Sequence, residues 1–381
     1  MTFEIKTSQP DTRAEALVVA YERSGYRRTA PAILQPAEPF LDLSGEDIRR
    51  RMYLSTDSEG RELCLRPDLT IPVSCDYLAS VDAGKPQGYC YLGPVFRDRG
   101  SASPEFIQAG IESFGRTDTT AADAEMLALG LEAISHYGLT APEIHMGDVA
   151  LFSALIAALD LAPAWKRRLI KDFNRKSNLA HDLDRLTLAA HNKRPEYEGV
   201  LAALTGADPK GALALVSDLI SIAGITTVGG RTVDEIAERF LEQAALGAAT
   251  ALPQEMRALI ERFLAISGNP DQAAAALRAL AADAKVAFGS ALDVLENRTG
   301  FLAARGIDVA RIQFSTGFGR DIDYYTGMVF ELHDPRTRVV GQLVAGGRYD
   351  GLLARLGAKS PMPAVGFAVW IDRIAACGAI A

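Results

Sequence analysis

Metal-ligating and redox patterns are missing from this chain. Its four cysteines, Cys64, Cys75, Cys90 and Cys377, contain no CxxC pair, and its five histidines, His136, His145, His181, His191 and His333, form no HExxH or comparable cluster. Neither a structural zinc site nor a disulfide scaffold is expected. No run of about 18 uncharged apolar residues occurs, so no membrane-spanning helix is expected. The opening MTFEIKTSQPDTR lacks the basic stretch and apolar core of a secretory signal, which makes a cytoplasmic protein without a membrane partner the expectation. Basic charge is in deficit too: 40 Lys and Arg face 48 Asp and Glu, a net −8 that disfavours coating a polyanion and leaves room for a local basic patch. Against these absences stand 381 residues, 48% of them hydrophobic and 23% charged, enough to build a large core.

Periodicity organises the chain. Thr12 to Gly25 places Ala14, Leu17, Val18 and Tyr21 on one stripe, which predicts an amphipathic helix. From Tyr26 to Val73, prolines and short apolar runs exclude one long helix; the stretch reads as largely extended, with a hairpin turn at DSEGR. A helix is expected at Leu69–Ala79. Between Gln87 and Gly115 two extended segments flank a polar loop holding Ser101, Ala102, Ser103 and Pro104, and so short a link predicts an antiparallel pair. In the second segment Gln108, Gly110 and Glu112 alternate with Ile107, Ala109 and Ile111, making the polar face a candidate pocket floor. Thr120–Tyr137 carries Leu127, Leu131 and Ile134 at helical spacing. From about 150 to 305 the text is rich in alanine and leucine, punctuated at Gly206-Ala207, Gly229-Gly230, Pro253 and Gly268-Asn269-Pro270, which predicts helices without a regular repeat. Strand spacing returns at Ile312 and Phe314 and at Met328, Phe330 and Leu332. The expected organisation is an α+β core, residues 1–149 and 306–381, interrupted by a mainly helical region at 150–305.

Polar residues then suggest chemistry. Arg66, Asp68 and Thr70 in LRPDLT would share a strand face, although Pro67 warns of irregularity. A carboxylate and a hydroxyl at that spacing can bind an ammonium group, or can cap a strand end or form a surface ion pair. Gln108 and Glu112 would lie about 13 Å apart on an extended strand, a span suited to the two ends of an amino-acid-sized ligand; hydrogen bonding within the sheet is the alternative. In GRDIDYYTG, Arg320 can engage a carboxylate or phosphate, and Tyr324 and Tyr325 can form a rigid wall with hydroxyl handles. Gly346-Gly347 in AGGRYDGL permits a tight turn or close backbone approach and lacks the spacing of a phosphate loop; on composition alone an ordinary turn is the simpler account. Lys166, Arg167, Arg168, Lys171, Arg175 and Lys176 make the clearest basic patch. Without a DNA-reading motif it reads first as a solvated helix face and second as a contact for nucleic acid or an acidic partner.

Together these segments resemble the catalytic core of the class II histidyl-tRNA synthetases. The stretch around Pro31 is similar to the first class II motif, GPVFRDRG with FIQAGIESFG to the second, and VGFAVWIDRI at 365–374 to the third. GRDIDYYTG and AGGRYDGL resemble the histidine-specific signatures, and the resemblance covers roughly residues 10–145 and 305–375. It implies a class II antiparallel sheet flanked by helices, an inserted helical region and a homodimeric core. It also implies a histidine site made by Asp68, Thr70, Arg97, Gln108, Glu112, Arg320, Tyr324 and Tyr325. In the family's pattern the acid and hydroxyl hold the α-ammonium, an arginine favours the carboxylate, and Glu112 with a tyrosine contacts the imidazole.

The nucleotide side departs from that pattern. Arg97-Asp98-Arg99 stands where Arg-x-Glu is expected, Trp370 stands where a glycine precedes the acidic-arginine pair Asp372 and Arg373, and Asp68-Leu69 replaces a glutamate-glycine pair. By resemblance, Arg99, Trp370, Asp372 and Arg373 mark a degenerate nucleotide site, and no C-terminal anticodon-binding domain is expected. These departures are similar to those of the regulatory-subunit family of ATP phosphoribosyltransferase, the first enzyme of histidine biosynthesis. The resemblance implies a noncatalytic chain with no catalytic residue, metal or cofactor, and with L-histidine as allosteric ligand. It implies assembly with short-form catalytic subunits in a hetero-oligomer, a hetero-octamer being one form, and no nucleic-acid partner. A truncated ATP-dependent histidyl transferase and a noncatalytic RNA-binding protein are the alternatives; adenylation would mark the first and salt-sensitive binding through residues 166–176 the second.

Overall fold

The stripe at residues 14, 17, 18 and 21 folds as its spacing predicts. Thr12–Arg23 is helix α1, with Ala14, Leu17, Val18 and Tyr21 buried and the Asp11 carboxylate capping its first turn by accepting from Arg13 N at 2.9 Å. The structure, a computed structural model, describes residues 11–188 and 252–378 and the single positions 211, 214, 217 and 218. The breaks expected at Gly206-Ala207 and Gly229-Gly230 lie outside the described residues.

The stretch expected to be extended holds strands β1 (Arg27–Arg28), β2 (Leu34–Pro36), β3 (Leu54–Thr56) and β4 (Glu62–Leu65), with β3 and β4 pairing antiparallel around the DSEGR turn. It also holds two helices that spacing did not reveal, α2 (Glu38–Leu43) and α3 (Glu46–Arg50). A proline in the first turn of α2 costs no intrahelical bond, and the helix buries Phe40 and Leu43. Five or six residues are too few for a 3.6-residue period to register. A further correction concerns LRPDLT: β4 ends at Leu65 and helix α4 (Thr70–Ala79) begins at Thr70, so Arg66, Asp68 and Thr70 share no strand face. Pro67 has no N–H to give a ladder.

Strands β5 (Gln87–Phe96) and β6 (Glu105–Phe114) are the expected antiparallel pair, Gln87 opposite Phe114 and Phe96 opposite Glu105. Next come α5 (Thr119–His136), β7 (Glu143–Asp148), α6 (Val149–Ala158), α7 (Pro163–Asp172), α8 (Lys176–Leu188) and α9 (Gln254–Leu264). After them follow β8 (Ser267–Gly268), α10 (Pro270–Ala284), α11 (Ala291–Ala304), β9 (Ile312–Ser315), β10 (Met328–His333), β11 (Val344–Arg348), α12 (Leu352–Arg355), β12 (Ala364–Trp370) and α13 (Ile371–Gly378). One nine-stranded sheet runs β1-β5-β6-β12-β11-β10-β7-β9-β8, antiparallel except at the β1–β5 and β7–β9 joins. The two strand-rich stretches of sequence therefore make one sheet: β6 of the first pairs with β12 of the second, and β7 with β10. A small second sheet runs β2-β4-β3.

The chain divides into two units, Met1–Ala154 with Phe263–Ala381, and Leu155–Arg262. The second unit is shorter than the helical region expected at 150–305, because α10 and α11 belong with the sheet. A buried ion network ties α11 there. Arg298 of α11 donates to Asp123 of α5 at 2.9 Å and to Asp148 of β7 at 2.7 Å, while Arg348 of β11 reaches the other Asp123 oxygen at 2.8 Å. Helix α10 starts at Gly268-Asn269-Pro270 as expected, with Asn269 and Gln272 forming a capping box.

Within the second unit the basic run is partly absorbed. Arg168 sits between Asp172 at 2.6 Å and Asp182 at 2.7 Å, Arg175 reaches Asp172 at 3.4 Å, and Lys166 donates to the Ala157 carbonyl at 2.8 Å. Arg167 and Lys171 stay exposed; the Lys176 side chain lies outside the described residues. Among the described residues no helix is long and apolar enough to cross a membrane, and no group of three His, Cys, Asp or Glu is placed to hold a metal ion.

Candidate functional site

Sheet register assembles the site. Gln108 of β6 lies opposite Trp370 of β12, and Glu112 lies opposite Gly366. Residues of this region, of the Asp68–Thr70 turn into α4 and of the loop before β10 line a cavity of about 400 Å3 including its open mouth. Asp68, Thr70, Arg97, Gln108, Arg320, Tyr324 and Tyr325, seven of the eight residues expected at a ligand site, are in its wall together with Tyr349 and Trp370.

Glu112, the eighth, does not line the cavity. It is fully buried and accepts hydrogen bonds from Thr70 Oγ1 at 2.6 Å, from Tyr91 Oη at 3.2 Å and from Tyr349 Oη. Gly366 explains the placement: a Cβ there would sit 1.8 Å from Glu112 Oε2, so only glycine lets the carboxylate lie across the neighbouring strand. Glu112 meets the cavity through Thr70 and Tyr349, which do line it. Burial pushes Glu112 up to about 8 against the pull of its three hydroxyl donors, and the nearby Asp68 charge adds to the rise.

The charged wall is arranged by sign. Burial raises the Asp68 carboxyl and Arg97 opposes the rise. Burial pushes the Arg97 guanidinium down to about 10, Asp68 counteracts it, and the group stays cationic at neutral pH; its Nε donates to the Pro67 carbonyl at 2.6 Å. Burial also works against the Arg320 charge, but Tyr325 and Glu331 hold it above the usual range, Nη1 donating to Tyr325 Oη at 2.7 Å and Nε to Glu331 at 3.0 Å. Arg66 is elsewhere, bracing the backbone at Pro31 and Pro94.

Aromatic rings form one side of the wall. Tyr324 lies 5.1 Å from Tyr325 and 5.6 Å edge-on from Tyr349, centroid to centroid. Gly347 is mid-strand, so it makes no turn; a Cβ there would meet the Met328 carbonyl at 2.4 Å and the Tyr325 ring at 2.9 Å. Gln108 is 1% exposed and its Oε1 has no hydrogen-bond partner. Such an orphaned acceptor costs about 1–3 kcal/mol unless a donor arrives.

The four residues grouped by resemblance as a degenerate nucleotide site are neighbours, Arg99, Asp372 and Arg373 within electrostatic reach of one another and Arg373 beside Trp370, but they do not all face the cavity. Trp370 lines the cavity, whereas Arg99, Asp372 and Arg373 do not. Arg373 lies 5.5 Å from the Trp370 ring centroid and donates to the Gln342 carbonyl at 2.8 Å, while Arg99 covers Phe106 at 4.6 Å. Tyr91 and Tyr349 were not singled out from the sequence. Tyr349 had a signal, since Ala345, Gly347 and Tyr349 alternate with Gly346 and Arg348; Tyr91 had only its place in a strand.

A family model of histidyl-tRNA synthetase matches residues 6–215 and 210–374. Among solved structures the chain is similar to an ATP phosphoribosyltransferase regulatory subunit/histidyl-tRNA synthetase from Bacillus halodurans C, with TM-score 0.64, 21% identity and coverage of 98% of this chain and 83% of that one. It is also similar to histidyl-tRNA synthetase from Nostoc sp. PCC 7120, with TM-score 0.63, 17% identity and coverage of 98% and 74%. The class is thus that of histidyl-tRNA synthetase-like class II proteins. The ATP phosphoribosyltransferase regulatory subunit of Brucella ovis is 41% identical over 345 residues, 90% of this chain and 91% of the relative. The chain belongs to the ATP phosphoribosyltransferase regulatory subunit family, a membership that favours the regulatory reading of the motif departures over a histidyl transferase or an RNA-binding protein.

Proposed function

We propose that this chain regulates ATP phosphoribosyltransferase, in the first step of histidine biosynthesis, by binding L-histidine in the cavity beside β6 and β12. The carrying observation is the lining: a buried acid, Asp68, two arginines, Arg97 and Arg320, and the unpartnered Gln108 acceptor converge on one small cavity. An amino-acid zwitterion complements that set, its ammonium toward Asp68 and Thr70 and its carboxylate toward arginine. The Thr70 and Tyr349 hydroxyls, backed by Glu112, offer a polar edge to the imidazole. Trp370 fills wall space, which supports a ligand without a nucleotide.

The partner short-form subunit carries out transfer of the phosphoribosyl group from phosphoribosyl pyrophosphate to N1 of ATP. This chain contributes binding: histidine shifts the balance of active and inhibited assemblies by the difference in its affinity for them. The core pairs with a second copy through the small sheet. There Leu34 and Tyr53, 50% and 38% exposed, share a face with Leu63 and Leu65 by register.

The test measures phosphoribosyl-ATP formation by a purified short-form catalytic subunit, with and without this chain, during histidine titration. Activation by the chain, inhibition by histidine and a rightward shift of that inhibition with Gln108→Met are the expected results. Absence of any rate effect sinks the regulatory role, and unchanged inhibition with the variant sinks the cavity as the histidine site.

A further inference from the structure

Arg320 has a second environment, behind the cavity. Its Nε donates to Glu331 Oε1 at 3.0 Å, and Glu331 Oε2 lies 3.0 Å from His333 Nε2. The His333 ring stands edge-on to that of His145, centroids 5.1 Å apart, and His145 Nε2 is 3.5 Å from Glu143 Oε2. Strand register creates this patch: Glu331 is opposite His145 and His333 is opposite Glu143, so on one face of the β10–β7 pair the histidines occupy one diagonal and the carboxylates the other.

We propose that Glu331 and His333 are positioning residues for Arg320, and that they make binding of an anionic ligand group in the cavity proton-linked, affinity rising as His333 takes up a proton. The inference rests on the ligand-binding reading of the cavity. Exposure falls along the chain of contacts, from 27% for the His333 side chain to 19% for Glu331 and 8% for Arg320. A proton thus enters from solvent at one end, and the charge that answers it faces the cavity at the other.

With His333 neutral, its Nε2–H donates to Glu331, whose negative charge compensates Arg320. With His333 protonated, Glu331 is shared between two cations, and Arg320 has more uncompensated charge to offer a carboxylate in the cavity. The other groups facing the pair set limits. Glu143 and His145 of β7 face the same patch, and Arg373 of α13 lies within electrostatic reach of Glu331. Asp334 at the strand end is taken up by Arg338 at 3.0 Å. Burial would raise the Glu331 carboxyl, but His333 and Arg320 hold it below the usual range, so it remains a charged bridge. Histidine is the side chain type whose charge changes between about pH 5 and 8.

Linkage is reciprocal, so ligand binding must also raise the proton affinity of His333. Isothermal titration calorimetry of L-histidine into the full chain, between pH 6 and 8 in buffers of different ionisation enthalpy, measures both sides. The free ligand's own imidazole titrates identically against every variant, so that part of the pH dependence drops out of the comparison. His333→Gln keeps a donor for Glu331 and removes the titration. The wild-type advantage over this variant is expected to fall about fivefold from pH 6 to pH 8, with extra proton uptake on binding at pH 7. Glu331→Gln removes the charge that His333 and Arg320 share and is expected to abolish the proton uptake that separates wild type from His333→Gln. Binding with parallel pH curves for wild type and His333→Gln overturns the inference alone; no L-histidine binding by any form at any pH overturns the ligand reading, and the inference with it.

Discussion

Gln108 and Glu112 sit four residues apart on one strand and respond to opposite tests. Replacing Gln108 by Met removes a buried acceptor that the folded chain leaves unpaired, so thermal stability is expected to stay level or rise while affinity for L-histidine drops about tenfold, the worth of one hydrogen bond to a charged donor. Differential scanning fluorimetry and calorimetry read the two effects separately, and loss of both together would mark Gln108 as structural. For Glu112 the sign follows from an ordinary value of 4.5 raised to about 8 in the fold. Between those values the folded chain holds more protons than the unfolded chain, so this group's contribution is full at the acid end and is lost as pH rises toward 8. Glu112→Gln imitates the protonated carboxyl. Its melting temperature is expected to exceed wild type at pH 8 and to converge with it near pH 5; equal slopes from pH 5 to 8 would contradict the assignment. Seven of the eight site residues implied by the family resemblance reach the cavity. Glu112 missed it because its direction depends on a missing side chain at Gly366, some 250 residues away in the chain.

At the scale of elements, legibility followed length. Helices α1 and α5 and the β5–β6 hairpin are long enough for their period to show, whereas α2 and α3 are not. Helix α11 was legible as a helix and misplaced as part of the inserted region, since its attachment rests on Arg298 meeting Asp123 and Asp148 from distant positions. Arg298→Met would leave both carboxylates buried without that partner. Loss of about 3–5 kcal/mol in urea unfolding is the expected cost, and a loss under about 1 kcal/mol would show that Arg348 alone satisfies the network.

For the whole molecule, the pairing proposed through the small sheet can be tested directly. If Leu34 and Tyr53 meet a second copy, the double substitution Leu34→Lys, Tyr53→Lys places like charges in the interface and is expected to convert a dimer to a monomer in sedimentation velocity without lowering the helix content seen by circular dichroism. A wild-type monomer would remove the proposed pairing, and a variant that stays dimeric would move the interface elsewhere. The basic run shows why a composition-level patch overstates free charge: Arg168 and Arg175 are taken up by Asp172 and Asp182, leaving Arg167 and Lys171 exposed.

The amino-acid sequence alone determined the class of fold, the interruption of the sheet by helices and, through the motifs shared with the family, most of the residues that line the cavity, because periodicity and short motifs are written within a few neighbouring residues. Tertiary structure decided what depends on distant partners: that β6 and β12 close one cavity, that Trp370 belongs to its wall, that Glu112 lies beneath Thr70 and Tyr349, and that Arg298 draws α11 into the sheet's unit. It also decided that Arg320 meets Glu331, that Glu331 meets His333, and that the His333 ring meets that of His145 once β10 pairs with β7.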